Sequence, residues 1–168
     1  MALCADRLKS AGADFGAIAT NTMHKVFDET QAQTSLPLVS LFDPLIAAIR
    51  QKGFTKVGLL GTHYTMSDPF YSGALARQGI EVVVPGEAQQ AEVHRVIVEE
   101  LVRGELKATA RAEFLRIMEN LRMQGAQGIV LGCTEIPFLI TPEDTDMPLF
   151  DTATLHADAL LNLAVADG

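Results

Sequence analysis

Short apolar runs alternate with amphipathic stretches along nearly the whole chain, and this alternation restricts the fold more than any single residue does. The clearest run is Val82-Val83-Val84, β-branched and bracketed by Gly79 and Pro85. Similar runs predict strands over residues 15–19, 37–41, 56–60, 81–84, 128–131 and 148–150. Helices are predicted over residues 1–10, 20–33, 44–51, 69–78, 88–102, 109–124 and 152–165. Strands that are apolar throughout, separated by such helices, imply an α/β fold with parallel sheets covered on both faces.

Composition narrows the partners. The 168 residues are 48% hydrophobic, enough for a true core and about one domain of ordinary size. The net charge is -8 and Lys and Arg are nowhere concentrated, which argues against nucleic acid and anionic membranes. Two cysteines, Cys4 and Cys133, are too few for a secreted disulfide framework. The opening Met-Ala-Leu-Cys-Ala-Asp-Arg meets charge too early for a signal peptide. No apolar run approaches the roughly 20 residues that span a bilayer, so a cytoplasmic chain is expected.

Open parallel sheets bind ligands at the carboxyl ends of their strands. The residues there are Thr20-Asn21-Thr22, Gly61-Thr62, Gly132-Cys133-Thr134 and Asp151-Thr152. All four groups are small, hydroxylated or nucleophilic, which points to a small-molecule site. Cys133 precedes a helix start predicted at Thr134, where a helix dipole lowers a thiol below its reference pKa of about 8.5. Gly132 permits close approach of a ligand, and Thr134 offers a donor to a carboxylate. The competing reading of Cys133 is a buried structural cysteine.

The remaining candidates have equally plain alternatives. Asn21 and Thr22 suit helix capping, and Asp151 suits the cap of the closing helix. His24 and His156 each fit a satisfied core histidine as well as a base. His63 falls in a loop, and His94 reads as exposed and without function. The four His and two Cys lack metal-ligand spacing, so no metal is expected. No Gly-x-Gly-x-x-Gly, Walker or Gly-x-Ser-x-Gly pattern occurs, and no Lys follows a strand as a Schiff-base candidate.

Four segments, in order, resemble the aspartate/glutamate/hydantoin racemase superfamily, above all its aspartate racemase branch. They are Ala19-Thr20-Asn21-Thr22-Met23-His24, the stretch from Val57 through Gly61-Thr62-His63-Tyr64 to Thr65, Gly132-Cys133-Thr134-Glu135-Ile136-Pro137, and Asp151-Thr152 with His156. The Gly-Cys-Thr-Glu segment carries most of the specificity. The resemblance implies two pseudo-symmetric lobes with the substrate between them. Residues 1–53 would be a remnant of the first lobe, 54–150 the second, and 151–168 a helix packing back on the first. It further implies proton removal and return at Cα of an acidic amino acid, aspartate or glutamate, without cofactor or metal. Cys133 and Thr20 would be the catalytic pair. Asn21, Thr22, Thr62, Thr65, Thr134 and Glu135 would bind substrate, supported by His24 and His156.

The chain departs from the family pattern in two ways. Thr20 stands where a cysteine is usual, so a symmetric two-thiol mechanism does not transfer; a relay with His24 or water, a reaction favouring one direction, or binding without turnover are the options. Family members also normally carry a strand, a Gly-rich loop and a helix–strand unit ahead of the region matching Met1. On that comparison the first lobe keeps two strands and is incomplete, and a homo-oligomer is expected to cover its apolar edges. The competing functions are a related decarboxylase, maleate isomerase or hydantoin racemase, a catalytically silent dicarboxylate-binding or amino-acid-binding protein, and an inactive fragment.

Overall fold

The computed structural model describes residues 1–166; Asp167 and Gly168, the end of the expected 151–168 segment, lie outside the described residues. It is an α/β structure with two parallel sheets flanked by helices. A small sheet pairs β1 (Gly16–Ala17) with β2 (Leu38–Val39). A larger one contains β3 (Lys56–Leu60), β4 (Glu81–Val83), β5 (Ile129–Leu131) and β6 (Leu149–Asp151), ordered β4-β3-β5-β6.

The larger sheet is covered on both faces, which is why its strands read as apolar throughout. On one face α6 (Glu87–Glu99) and α7 (Ala108–Met123) bury Val93, Val96, Phe114 and Leu121 against Leu60, Ile129 and Leu131. On the other, α3 (Phe42–Gln51) and α5 (Pro69–Ala76) bury Leu45, Ile49, Tyr71 and Leu75 against Val57, Leu59, Val130 and Phe150. Burial on this scale is the main force holding a domain together. The opening helix is α1 (Ala2–Ser10), and the closing helix α9 (Thr152–Ala166) packs along α3 and β6.

Strand order carries the functional information. The chain leaves β3 for β4 on one side, then returns past β3 to add β5 on the other. The direction of winding therefore reverses between β3 and β5, which opens a crevice at their carboxyl ends. Leu60, Leu131 and Asp151 stand level in the ladder, so Gly61, Gly132 and Thr152 emerge side by side.

Several elements differ from the predicted ones. β1 and β2 are two residues long where five were expected each. The helix expected over 20–33 is a 3-10 turn, Thr22–Val26, followed by α2 (Phe27–Ala32). His63 was expected in a loop but opens the short helix α4 (His63–Ser67), capped by Thr62 Oγ1 accepting from the Thr65 N–H. α6 ends at Glu99 and a 3-10 turn, Leu101–Arg103, completes the predicted span. His94 is half-buried, and its Nδ1 accepts from the His63 N–H at 3.3 Å, so it is a structural contact of α4.

The sheet tolerates no side chain at Gly128. A Cβ there would lie 2.8 Å from the Phe150 ring and 2.9 Å from the Pro148 carbonyl oxygen, and backbone cannot give way as a side chain can. Gly128→Ala is expected to destabilise the fold by about 1–3 kcal/mol through overpacking, read from the urea midpoint.

Candidate active site

The floor of the crevice is made where β3 and β5 end. The Gly132 N–H donates to the Leu60 carbonyl at 2.7 Å, holding the loop after β5 against β3. A Cβ on Gly132 would come within 2.9 Å of Leu59 and 3.1 Å of that carbonyl oxygen. One on Gly61 would meet Thr65 at 3.1 Å and the Gly132 carbonyl oxygen at 3.2 Å. Two glycines face each other, and a side chain on either would crowd the backbone of the neighbouring strand end.

Cys133 follows immediately and is half-buried. Its Sγ donates to Glu135 Oε2 at 2.9 Å, and Thr134 Oγ1 donates to the same oxygen at 2.7 Å. Burial pushes the thiol up to about 12, and the hydrogen bond to Glu135 adds to the effect by favouring the protonated sulfur. This corrects the expectation of a lowered thiol. The helix expected to start at Thr134 is α8 (Ile136–Leu139), only four residues long and beginning beyond Glu135. A dipole that short and that far along does not offset burial and a neighbouring carboxylate. Burial works against the Glu135 carboxylate too, but the two donors outweigh it and hold its pKa below the ordinary value.

Hydroxyls line the crevice beside α4. Thr65 is buried; its Oγ1 lies 3.1 Å from Thr62 Oγ1 and 3.4 Å from Thr22 Oγ1. Thr22 comes from the small sheet's side, so these contacts bridge the two layers. Deeper in, Asn21 is buried and held at both ends of its amide: Nδ2 donates to Thr152 Oγ1 at 3.0 Å, and Oδ1 accepts from the Tyr71 hydroxyl at 3.0 Å. Tyr71 was not among the residues expected at the site; Thr152 was expected at a strand end there but was given no role.

Thr20 is exposed at the mouth of the crevice. Its backbone is anchored by His24, whose Nδ1 meets the Thr20 carbonyl at 2.7 Å while Nε2 accepts from the Leu41 N–H at 2.9 Å. An acceptor Nε2 places the ring proton on Nδ1. Burial first, then the charge of His156, hold His24 below its usual pKa, against the bond to Thr20. His24 is thus a neutral staple with both nitrogens occupied, leaving no free nitrogen for a proton relay. His156 is buried and its Nε2 lies 3.0 Å from the Val39 carbonyl, tying α9 to the small sheet.

Thr20, Asn21, Thr134 and His156 line one cavity of about 120 Å³. This is well below the roughly 300–1,000 Å³ of drug-sized pockets, so it suits a small ligand. Among the described residues, no Asp, Glu, Lys or Arg lines it. A larger apolar cavity, about 410 Å³, lies on the far side of Glu135 against Val102, Leu106 and Phe138. Among the described residues, no three of His, Cys, Asp and Glu cluster as metal ligands, and no helix is long and apolar enough to cross a membrane.

A parallel α/β sheet with a thiol, a carboxylate and a row of hydroxyls at its switch point is a framework for proton chemistry on a small polar ligand. The chain belongs to the Asp/Glu/hydantoin racemase family, whose model matches residues 1–160. It is similar to a candidate Asp/Glu racemase from Yersinia pestis: 43% identity, TM-score 0.92, covering 98% of this chain and 72% of that one. It is also similar to an aspartate racemase homologue from Pyrococcus horikoshii OT3, at 40% identity and TM-score 0.90, covering 97% and 72% of the two chains. The broad specificity amino-acid racemase RacX of Bacillus subtilis is 26% identical over 160 residues, 95% of this chain and 69% of its own length.

The Cys133–Glu135 contact is directly measurable in the unliganded protein. With Cys4 replaced by Ser, alkylation of Cys133 by iodoacetamide should rise with pH toward a midpoint near 12. Glu135→Gln removes the negative acceptor and should move the midpoint down; an unmoved midpoint would show that the contact does not govern the thiol.

Proposed function

We propose that this chain interconverts the enantiomers of a small acidic amino acid, aspartate or glutamate, without a cofactor. The observation that carries the reading is the Cys133–Glu135 hydrogen bond at the β3/β5 switch point, beside a cavity that joins Thr20 and Asn21 to Thr134. The names of the relatives from Yersinia pestis and Pyrococcus horikoshii support the choice of acidic substrates.

In this scheme Asn21, Thr22, Thr62, Thr65 and Thr134 donate hydrogen bonds to the substrate carboxylates. Neutral donors suffice because they act in a partly dry crevice, and they stabilise the enediolate-like charge that develops when Cα loses its proton. Glu135 takes the proton of the Cys133 thiol as the positive α-ammonium group enters, since a nearby cation favours the thiolate. The thiolate then removes the Cα proton: the C–H bond breaks, an S–H bond forms, and the electron pair moves into the carboxylate. Thr20 delivers a proton to the opposite face, water at the exposed crevice mouth reprotonates its oxygen, and Glu135 gives up the proton it took from Cys133 to the hydroxide so formed, which restores the starting carboxylate and thiol. In the reverse direction Thr20 must act as the base, and a hydroxyl is a far weaker base partner than a thiolate, so the two directions differ in rate.

Two observations favour a second reading, binding without turnover: in the unliganded protein Cys133 is a neutral thiol, and among the described residues the Thr20 hydroxyl is hydrogen-bonded to no base, only to the Met23 N–H at 3.4 Å. Proton NMR in D₂O separates the two. The racemase reading predicts loss of the Cα–H signal from aspartate or glutamate, and Cys133→Ser should slow it about 10²- to 10⁴-fold. Calorimetric binding of either amino acid with no Cα exchange would establish the silent binder instead.

A further inference from the structure

Behind the crevice lies a chain of buried hydrogen bonds whose two outer side chains, Tyr71 and Thr152, the proposed chemistry does not use. Tyr71 on α5, Asn21 ahead of the 3-10 turn and Thr152 at the start of α9 are all buried, at 0%, 5% and 1% exposure. Thr152 Oγ1 donates its one hydrogen to the Leu131 carbonyl at 2.9 Å. Toward Asn21 it can therefore only accept, which assigns Nδ2 to Thr152 and leaves Oδ1 for the Tyr71 hydroxyl. Burial raises the Tyr71 phenol well above its ordinary pKa, so it stays protonated as the donor. Flipping the Asn21 amide would set two acceptors against each other at Thr152. The chain has one satisfied direction, and every member depends on the next.

Both ends of this chain reach the reacting groups. Leu131 is two residues before Cys133, and the Gly132 between them is held by Leu60, so the Thr152 hydroxyl completes the clamp on the segment carrying the thiol. Asn21 adjoins Thr20 and lines the same cavity as Thr20 and Thr134. Its Nδ2 has two hydrogens and Thr152 accepts one of them, so the amide keeps one donor beyond this chain. The residue that lines the cavity is thus held from behind by Tyr71 and Thr152.

We infer that Tyr71 and Thr152 are positioning residues, which act through Asn21 and Leu131 to set the Thr20 loop and the Cys133 loop against each other across the crevice. The part concerning the ligand rests on the racemase reading; the part concerning Cys133 stands without it. Neither residue is assigned contact with the reacting atoms, and without this chain α5 would be assigned to packing alone.

The test begins on the unliganded protein in the Cys4→Ser background, with iodoacetamide alkylation of Cys133 at fixed pH. Thr152→Val keeps the side-chain shape and loses the hydroxyl; freeing the Leu131 carbonyl should expose Cys133 and speed alkylation about threefold or more. Thr152→Ser restores the hydroxyl and should react at the wild-type rate. Tyr71→Phe, which keeps the ring packing, should also speed alkylation and carries the same readout if Thr152→Val does not fold. In calorimetry, Tyr71→Phe should weaken aspartate or glutamate binding about tenfold, the loss of one buried hydrogen bond that aims a donor. A merely structural role would lower the melting temperature of both variants and leave alkylation rate and affinity unchanged, which would overturn the inference. If the wild-type protein binds neither amino acid, the racemase reading fails and the alkylation result alone decides the positioning role.

Discussion

Everything at the crevice depends on how closely β3 and β5 end. The Gly132 N–H on the Leu60 carbonyl at 2.7 Å draws the two strand ends together, and Gly61 and Gly132 are the residues that allow it. Strand order places the topological reversal at the same spot. A thiol one residue beyond Gly132 is therefore fixed by backbone, not by a flexible loop. The helices on both faces serve this geometry by locking the sheet, and Tyr71 shows the two tasks in one residue: its ring packs in the core and its hydroxyl aims Asn21.

The electrostatics give the site its character. Burial and Glu135 keep the Cys133 proton in place, so the unliganded protein holds a thiol donor and a carboxylate acceptor 2.9 Å apart. In the proposed scheme the α-ammonium group of the amino acid is the cation that favours the thiolate. A neutral thiol is a poor nucleophile, so the unliganded sulfur is slow to react with electrophiles. Among the described residues no carboxylate is hydrogen-bonded to the Thr20 hydroxyl, and His24 holds only the Thr20 backbone. In the proposed scheme the two faces of the crevice are therefore chemically unequal.

Much of this was legible in the residue order. The alternation of apolar runs and amphipathic stretches marked the parallel sheet, and the small and hydroxylated residues after each strand marked the crevice. What escaped has physical reasons. Tyr71 lies among apolar residues of α5 and reads as core, because a hydroxyl's partner fifty positions away leaves no local trace. The direction of the Cys133 shift depends on a contact with a residue two positions on, and a helix start near a thiol suggested the opposite sign. α4 is five residues long, too short for a periodic pattern to show. The two nitrogens of His24 find partners on different elements, Thr20 and Leu41, so sequence left its role open between staple and base.

The central claim is that the substrate Cα sits between two proton-transfer groups on opposite faces, Cys133 and Thr20. Its most direct test is the position of deuterium at low conversion in D₂O, starting from one pure enantiomer of aspartate or glutamate and resolving both after quenching. The account predicts deuterium at Cα of the newly formed enantiomer while the unreacted enantiomer keeps its protium. Deuterium accumulating in the starting enantiomer with no inverted product would show a single working face and contradict it.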